Sequence, residues 1–334
     1  MATSVGGVLT GRGANIIIID DPQKPDEALS EPRRKAANDW LDNTALSRLD
    51  NKETGIVIIV MQRLHQDDLV GHVLEQSDWD VLSFPAIAEQ DEIYTVQTPY
   101  GPFRFERKKG EVLDPNRESL QTLLAIKQNI NSYNFENQYQ QNPMSLEGMM
   151  VRHEWLRYFD PFAPLPRFTT VMQSWDTANK SGELNDFSVG TTWGLFNGNF
   201  YLLDVFRKKV NYPELKRSVI EQMNKHNPNI ILIEDKASGT QLIQDLKADG
   251  VLRVRAYEAP PQADKIMRFN AQTALFEGGK VFLPTQAPWL AEYVREITGF
   301  PGTKFDDQVD STTQALDYMK LYYGLAVWEA LGRD

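Results

Sequence analysis

The feature that most constrains the fold is a short apolar segment that ends in two carboxylates. Residues 229–239 read Asn-Ile-Ile-Leu-Ile-Glu-Asp-Lys-Ala-Ser-Gly. The four consecutive apolar residues are bounded by Pro228 and Gly239 and are rich in β-branched side chains, which predicts a strand buried on both faces of a sheet. Glu234 then lies at the carboxyl end of the strand, the edge at which open α/β sheets bind ligands. An ionised carboxylate is costly there unless a cation or a donor compensates its charge.

Composition restricts the kinds of site that this chain can build. Its 334 residues contain no cysteine, which excludes disulfides, thiolate zinc sites and a cysteine nucleophile. The four histidines are scattered without the spacing of metal ligands. Any metal must therefore be held by oxygen, which favours Mg²⁺ or Mn²⁺.

The charge is unevenly distributed along the chain. The formal net charge is −11, but residues 161–334 carry 19 Lys and Arg with 21 Asp and Glu. This nearly neutral back half permits contact with nucleic acid. No run approaches the roughly 20 apolar residues of a membrane span, and the first residues lack the features of a signal peptide, so we expect a cytoplasmic protein without membrane contact.

Residues 16–22, Ile-Ile-Ile-Ile-Asp-Asp-Pro, are a second apolar segment and predict another buried strand that ends in paired carboxylates. This is the form of a Walker B strand, in which Asp20 would hold Mg²⁺ and Asp21 would orient the attacking water. A strand-end turn with solvated acids is the alternative interpretation. The glycines of residues 6–13 do not make a P-loop, because Arg replaces Lys, Gly replaces Ser or Thr, and a strand follows.

Periodicity divides the chain into three parts. We predict an α/β layer over residues 1–85, a connecting segment over 86–164 and a second domain over 165–334. In the first part, strands are expected at 16–22, 55–61 and 79–84, with helices at about 30–49 and 71–75. In the second part, residues 94–105 predict a hairpin, 117–141 a helix and 144–166 a proline-containing linker.

The second domain is predicted to be a mixed sheet flanked by helices. Strands at 169–176, 189–196 and 200–206 come first, and Asn197-Gly198 predicts a tight antiparallel hairpin between the last two. The later strands are expected at 230–234, 252–256 and 280–283, and the helices at 212–226, 239–248, 265–277 and about 306–323. Three antiparallel strands that feed a helix and then parallel strands are the order of a ribonuclease H-like sheet.

Acidic residues from three separate elements could meet at one edge of this sheet. Asp176 ends the first strand, Glu234 ends its parallel neighbour, and the last helix begins with Asp306, Asp307 and Asp310. The helical acids lie three or four positions apart, where like charges repel by about 0.2–0.5 kcal/mol per pair unless cations are present. Hydrolysis of a phosphodiester with two cations about 3.5–4 Å apart needs three or four such carboxylates. Taken singly, each acid could instead end a strand or cap a helix.

Three basic residues near these acids are candidate phosphate contacts. They are Lys236, Lys265 and Arg268, and the last two are three positions apart on a predicted helix. A solvated surface position is the alternative for each of them. Strand alternation should turn Asp235 to the face opposite Glu234, so only Glu234 is predicted to be a ligand.

Six segments, in their order along the chain, resemble the large terminase subunit of tailed bacteriophages, the motor and nuclease that packages DNA into capsids. They are residues 11–22 (Gly-Arg-Gly-Ala-Asn-Ile-Ile-Ile-Ile-Asp-Asp-Pro), 61–71 (Met-Gln-Arg-Leu-His-Gln-Asp-Asp-Leu-Val-Gly), 139–143 (Tyr-Gln-Gln-Asn-Pro), 174–178 (Ser-Trp-Asp-Thr-Ala), 233–239 (Ile-Glu-Asp-Lys-Ala-Ser-Gly) and 306–310 (Asp-Asp-Gln-Val-Asp). The similarity extends over nearly the whole chain.

The resemblance implies that residues 1–85 are the later half of a P-loop-type packaging ATPase, with Asp20 and Asp21 as its Walker B acids. Gln62 and Arg63 would couple hydrolysis to DNA movement. The P-loop strand and lysine would precede residue 1, so ATP is expected as a cofactor only if that part is supplied.

The resemblance also implies that residues 165–334 are a two-metal nuclease that cuts concatemeric double-stranded DNA, using Mg²⁺ or Mn²⁺. Asp176, Glu234 and Asp307 would be the principal catalytic ligands, and Asp306, Asp310 and Asp186 would assist. The implied partners are a portal protein, a small terminase subunit and further copies of the chain on the portal, in the cytoplasm of a bacterial host. A junction-resolving nuclease of the same fold and a non-catalytic DNA-binding or docking component are the alternatives.

Overall fold

The chain forms two compact units, residues 1–145 and 146–334. The computed structural model describes residues 2–331 except 8, 10, 26, 144–149, 178–186, 237 and 262, and it describes no side chains beyond residue 321. The boundary differs from the prediction of a connecting segment over residues 86–164. Residues 86–145 belong to the first unit, and a strand at Arg157–Phe159 belongs to the sheet of the second.

The first unit combines two small sheets with three α-helices among its described residues. Its elements are β1 (Ile16–Asp20), α1 (Glu31–Trp40), β2 (Ile56–Val60), α2 (Leu69–Gln76), β3 (Glu92–Thr98), β4 (Gly101–Arg107) and α3 (Leu120–Gln138). The predicted hairpin is confirmed, since β3 and β4 pair antiparallel. Residues 79–84, predicted as a strand, are all described and contain none. Val81 and Leu82 are exposed there, so no sheet supplies the burial that an apolar strand needs.

Strands β1 and β2 pair in parallel, as the alternation of strands and helices predicts. Residues 16–22 are predicted to form a buried strand, but one face of the strand is exposed. Ile16 and Ile18 are 53% and 65% exposed, whereas Ile19 packs against Leu41, directly after α1, and Leu69 of α2. The sequence of a strand gives its apolar content, but only the surrounding elements decide how many of its faces are covered.

The second unit is built on one mixed sheet. Its elements are β5 (Arg157–Phe159), β6 (Thr170–Asp176), β7 (Ser188–Phe196), β8 (Asn199–Lys208), α4 (Tyr212–His226), β9 (Ile230–Glu234), α5 (Ser238–Ala248), β10 (Val254–Tyr257), α6 (Lys265–Glu277), β11 (Val281–Pro284), α7 (Leu290–Gly299) and α8 (Asp307–Leu331). The seven strands lie in the order β10-β9-β6-β7-β8-β11-β5. Strand β7 is antiparallel to β6 and β8, and the other pairs are parallel.

Local chemistry explains why several of these elements match the prediction closely. Asn197 and Gly198 both have positive φ, at 49° and 73°, which is the requirement of the two-residue turn that joins β7 to β8. Helix α4 begins with a capping box, in which Asn211 and Glu214 each accept a hydrogen bond from the other's backbone. Each of these two signals involves residues that are close together in the sequence, so each can be recognised without tertiary information.

Both faces of the sheet are covered. One face packs on α6, α7 and α8 through side chains such as Phe269, Tyr293 and Leu316. The other face packs on α4 and α5 through side chains such as Val219 and Leu242. Burial of each large apolar side chain contributes about 1.5–3 kcal/mol.

In the described part of the chain, no helix combines the length and the apolarity that crossing a membrane requires.

Candidate functional site

Two acidic side chains come together because β6 and β9 are parallel neighbours. Trp175 and Ile233 are paired in register, and both belong to the core on the face covered by α4 and α5. Because side chains alternate along a strand, the following residues, Asp176 and Glu234, both turn to the opposite face. That is the face covered by α8.

Helix α8 is fixed against β6 by a reciprocal pair of hydrogen bonds. Ser174 Oγ donates to the Ser311 carbonyl at 2.8 Å, and Ser311 Oγ donates to the Ser174 carbonyl at 2.8 Å. Thr191 Oγ1 on β7 lies 2.8 Å from Ser311 Oγ. Because Asp310 precedes Ser311 directly, these bonds bring the acidic first turn of α8 to the end of β6, beside Asp176.

A buried glutamate on α7 holds the other side of this helix end. Glu296 Oε1 accepts hydrogen bonds from the backbone N–H groups of Gln308 at 2.6 Å and Val309 at 3.3 Å, and Glu296 Oε2 accepts from Gln308 Nε2 at 2.6 Å. The first N–H groups of a helix have no partner within the helix, so Glu296 satisfies two of them from a neighbouring element. Burial raises the pKa of Glu296, while its hydrogen bonds with Gln308 act in the opposite direction.

The strand ends and the start of α8 enclose a cavity of about 250 Å³. It is lined by Asp176, Thr177, Phe187, Glu234, Lys236, Lys265, Arg268, Asp306, Asp307 and Asp310. Gly239 allows the tight turn after β9, since a Cβ there would clash with the Glu234 carbonyl oxygen.

Basic side chains at the start of α6 neutralise part of the acidic cluster. Lys265 Nζ lies 2.8 Å from Asp306 Oδ1 and 2.6 Å from Asp310 Oδ2, and Arg268 Nη2 lies 3.2 Å from Asp310 Oδ1. Burial alone would lower the pKa of Lys265, but Asp310 and Asp306 together raise it above its usual value. A lysine in the first turn of a helix opposes the helix dipole, so the acids of α8 must compensate for its position.

Asp176 is the carboxylate of the cavity whose negative charge is most strongly disfavoured by its surroundings. Burial raises the pKa of Asp176 well above its usual value, and Asp310, Glu234 and Asp307 raise it further in that order. The cause is the crowding of negative charge in a region with little water. A group of this kind in a cleft is a candidate for metal binding or proton transfer.

The donor chemistry of the cavity fits a divalent cation, although the carboxylates are not yet arranged around one. Five carboxylates line it, and they are the oxygen ligands that Mg²⁺ and Mn²⁺ prefer. Among the described residues, no three acids or histidines stand in an arrangement that could hold an ion as they are. Lys265 and Arg268 instead occupy oxygens of Asp306 and Asp310.

The structure brings most of the predicted site residues to this one cavity. Asp176, Glu234, Asp306, Asp307, Asp310, Lys236, Lys265 and Arg268 all line it. Their roles as metal ligands or DNA contacts stay predictions. Asp186 lies outside the described residues. Asp235 is exposed, does not line the cavity and accepts a hydrogen bond from Thr240 Oγ1 at 2.6 Å.

The candidate residues of the first unit lie at the carboxyl ends of β1 and β2. Asp20 and Asp21 are exposed, and the Asp21 N–H donates to the Val60 carbonyl at 2.9 Å. Gln62 is exposed just beyond β2. Arg63 Nε lies 3.0 Å from Asp68 Oδ2, and Asp68 is fully buried at the start of α2. Their assignment to ATP hydrolysis and coupling stays a prediction.

Sequence reasoning missed three residues of the second unit that shape the cavity. Thr177 and Phe187 line it directly, and Glu296 fixes the start of α8. Helix α7, which carries Glu296, was not predicted, although its buried Tyr293 and Ile297 are spaced as on one helical face. That periodicity was the available signal.

A protein-family model identifies the region that contains the cavity. The model described as "Terminase RNaseH-like domain" matches residues 173–319. This range runs from β6 into α8 and therefore includes every described acid of the cavity. No curated protein matches the chain.

Solved structures give the fold of a longer part of the chain. The large terminase of a thermophilic bacteriophage, in complex with ATP-gamma-S, aligns with 92% of this chain and 71% of its own, with a TM-score of 0.55 and 12% sequence identity. The large terminase nuclease of thermophilic phage G20c with bound zinc aligns with 49% of this chain and 94% of its own, with a TM-score of 0.37 and 16% identity. The g2p nuclease domain of bacteriophage SPP1 with bound Mn aligns with 50% of this chain and 98% of its own, with a TM-score of 0.38 and 18% identity.

The first of these alignments establishes the fold, and the family model covers the region of the cavity. The predicted α/β fold class, with a ribonuclease H-like sheet, is confirmed. Residues 173–319 match the family model of the terminase RNase H-like domain, and the chain has the fold of a phage large terminase subunit.

Proposed function

We propose that the second unit is a divalent-metal-dependent endonuclease that hydrolyses the phosphodiester bonds of double-stranded DNA during phage genome packaging. The observation that supports this most directly is the convergence of five carboxylates from β6, β9 and the start of α8 on one cavity. Without cations this arrangement is electrostatically unfavourable, as the raised pKa of Asp176 indicates.

Each part of the cavity has a distinct task in this proposal. Asp176 and Glu234 are held rigidly on neighbouring strands, so they set the position of the reacting phosphate relative to the sheet. Asp307 and Asp310 approach from α8 and complete the oxygen ligand set, with Asp306 beside them. Bound Mg²⁺ or Mn²⁺ would supply an activated water and stabilise the negative charge that develops on the phosphate oxygens.

The experiment is cleavage of plasmid DNA by the full chain with Mn²⁺, compared with the Asp176→Asn and Glu234→Gln variants. Both variants keep the size of the side chain and remove one carboxylate charge. We expect at least a hundredfold slower cleavage from each, because loss of metal-dependent charge stabilisation in a nuclease removes several kcal/mol. Asp235→Asn is the matched control, since its carboxylate is adjacent in sequence but does not line the cavity.

Cleavage by Asp176→Asn and Glu234→Gln at the wild-type rate would overturn the proposal. DNA binding without any Mn²⁺-dependent cutting by the wild-type chain would favour a non-catalytic binding component. A strong preference for four-way junctions over linear duplex would favour a junction-resolving nuclease.

We extend the proposal to the first unit, whose candidate acids would serve a packaging ATPase. Asp20 and Asp21 lie at the carboxyl end of β1, the edge of a parallel sheet at which ligands bind. The large terminase that aligns with 92% of this chain is in complex with ATP-gamma-S. The same proposal includes two bound ions in the nuclease site, the cutting of concatemers and ATP-driven translocation of DNA. It also includes the docking of several copies of the chain on a portal, together with a small subunit.

A further inference from the structure

An aromatic and basic wall borders the acidic cavity at the start of β7. Phe187, which precedes β7, lines the cavity, and its ring centroid lies 5.4 Å from that of Phe305, with the rings edge to face at 89°. Phe305 lies in the loop that leads into α8. We call Phe187, Phe305 and the three cations around them, Arg207, Lys209 and Lys304, the Phe187 wall.

Arg207 fixes the two rings from inside the protein. Its guanidinium carbon lies 3.6 Å from the Phe187 centroid and 5.2 Å from the Phe305 centroid. The Arg207 side chain is only 9% exposed, and its charge is paired with Glu292 at 2.6 Å. Arg207 is therefore a structural part of the wall, and its charge is already compensated within the protein.

The two lysines of the wall differ from Arg207 because they are exposed. Lys209 Nζ lies 4.9 Å from the Phe187 centroid, and Lys304 Nζ lies 5.3 Å from the Phe305 centroid. In the part of the chain that the structure describes, neither lysine forms an ion pair with a carboxylate. Attraction to the ring faces keeps both ammonium groups near the wall without neutralising them.

The cavity itself supplies little of this positive charge, since Lys236 is the one lining cation without an ion pair among the described residues. Lys265 and Arg268 are engaged by Asp306 and Asp310, and the remaining acids give the cavity an excess of negative charge. A polyanionic strand that approaches such a cavity is repelled unless cations beside it hold the phosphates. The wall can provide these cations beside the cavity. The register Ser188↔Lys208 places Lys209 alongside Phe187, and Phe187 lines the cavity.

We propose that Lys209 and Lys304, held over Phe187 and Phe305, bind the backbone phosphates of the nucleic-acid strand on the β7–β8 side of the cavity. This inference rests on the proposed nuclease function, because it assigns the substrate contacts of the same site. It differs from the sequence-based assignment of DNA contacts to Lys265 and Arg268, whose charges are directed to the acids of α8.

The test is binding of a fluorescein-labelled 20-base-pair duplex to the full chain, followed by fluorescence anisotropy in EDTA over a series of NaCl concentrations. The double variant Lys209→Gln/Lys304→Gln should bind at least roughly tenfold more weakly at low salt. Its slope of log affinity against log salt should be smaller by about 1.8, which corresponds to two lost phosphate contacts at 0.9 each.

The matched control is Lys247→Gln/Lys280→Gln, which removes the same charge from two exposed lysines at the opposite end of the sheet. This control should keep the wild-type slope, and both double variants should keep the wild-type unfolding midpoint. An unchanged slope in the Lys209/Lys304 variant, or an equal change in the control, would overturn the inference. If poly-glutamate bound as tightly as the duplex and lost as much affinity in the Lys209→Gln/Lys304→Gln variant, the assignment of the wall to nucleic acid would be overturned.

Because DNA cutting is not measured in this experiment, its result is independent of the test of the nuclease proposal. Absence of Mn²⁺-dependent cleavage would remove the proposed function, whereas the salt slope tests the wall alone.

Discussion

Lys265 Nζ lies 2.6 Å from Asp310 Oδ2, so an ammonium group occupies the cluster of carboxylates where we propose that metal ions bind. The same nitrogen lies 2.8 Å from Asp306 Oδ1. In the absence of divalent ions Lys265 is thus the principal counter-charge for the start of α8. Metal binding must displace this ammonium group or share the carboxylates with it.

Removal of Lys265 should therefore strengthen metal binding. We expect Lys265→Met to bind Mn²⁺ about tenfold more tightly in isothermal titration calorimetry, which corresponds to about 1.4 kcal/mol of relieved competition. Lys236→Met is the control, because Lys236 lines the same cavity but forms no ion pair within the described residues. Equal or weaker Mn²⁺ binding by Lys265→Met would show that the lysine does not compete with the ion.

Removal of one crowded carboxylate should stabilise the metal-free fold. We expect Asp176→Asn to raise the unfolding midpoint in EDTA at pH 8 by at least about 2 °C, because the buried charge is repelled by Asp310, Glu234 and Asp307. Addition of Mn²⁺ should raise the midpoint of the wild type and leave that of the variant nearly unchanged. Differential scanning fluorimetry checks both effects, and a lower midpoint for Asp176→Asn in EDTA would contradict the electrostatic argument.

Glu296 should be a positioning residue for the acids of α8. In Glu296→Ala the backbone N–H groups of Gln308 and Val309 lose their buried acceptor, which should cost about 1–3 kcal/mol in the free energy of unfolding. Because Asp307 and Asp310 lie on the same turn, Mn²⁺ affinity should also fall.

The control for this prediction is Glu292→Ala. Glu292 lies one turn earlier on α7 and pairs with Arg207, but its side chain is about half exposed. Urea unfolding and calorimetry should show a small effect for Glu292→Ala and a large one for Glu296→Ala. If both variants lose equal Mn²⁺ affinity, the capping contact is not what positions the acids.

A second charged cluster, remote from the cavity, should make stability depend on pH. Burial would raise the pKa of Asp204, but hydrogen bonds from His226 and Lys225 outweigh it and hold the pKa well below its usual value. Trp289 Nε1 also donates to Asp204 at 3.1 Å. A depressed carboxyl pKa contributes stability above the pKa of the unfolded chain, near 3.9, and that stability is lost as the pH falls below it.

Asp204→Asn should therefore be less stable than the wild type by about 2 kcal/mol at pH 6, since hydrogen bonds to a charged group contribute about 1.5–3 kcal/mol. The difference in the free energy of unfolding should shrink as the pH is lowered from 5 towards 3. Urea titrations at several pH values measure it, and a difference that stays constant down to pH 3 would contradict the assignment.

The sequence by itself determined the features of this protein that depend on neighbouring residues. Local backbone preferences and apolar periodicity account for three of these features. They are the hairpin at Asn197-Gly198, the start of α4 at its capping box and the strand that ends at Glu234. The same patterns indicated which acids end elements, and the order of strands and helices indicated the ribonuclease H-like sheet.

Only the tertiary structure decided which charges meet and which strand faces are covered. Arg268 and Asp310 are 42 positions apart, and their contact depends on how α6 and α8 pack on the sheet, which no local pattern encodes. The exposure of Ile16 and Ile18 and the capping of α8 by Glu296 depend likewise on elements distant in the chain. Burial and electrostatic pairing are properties of the assembled fold, because they depend on distances in space that sequence separation does not give.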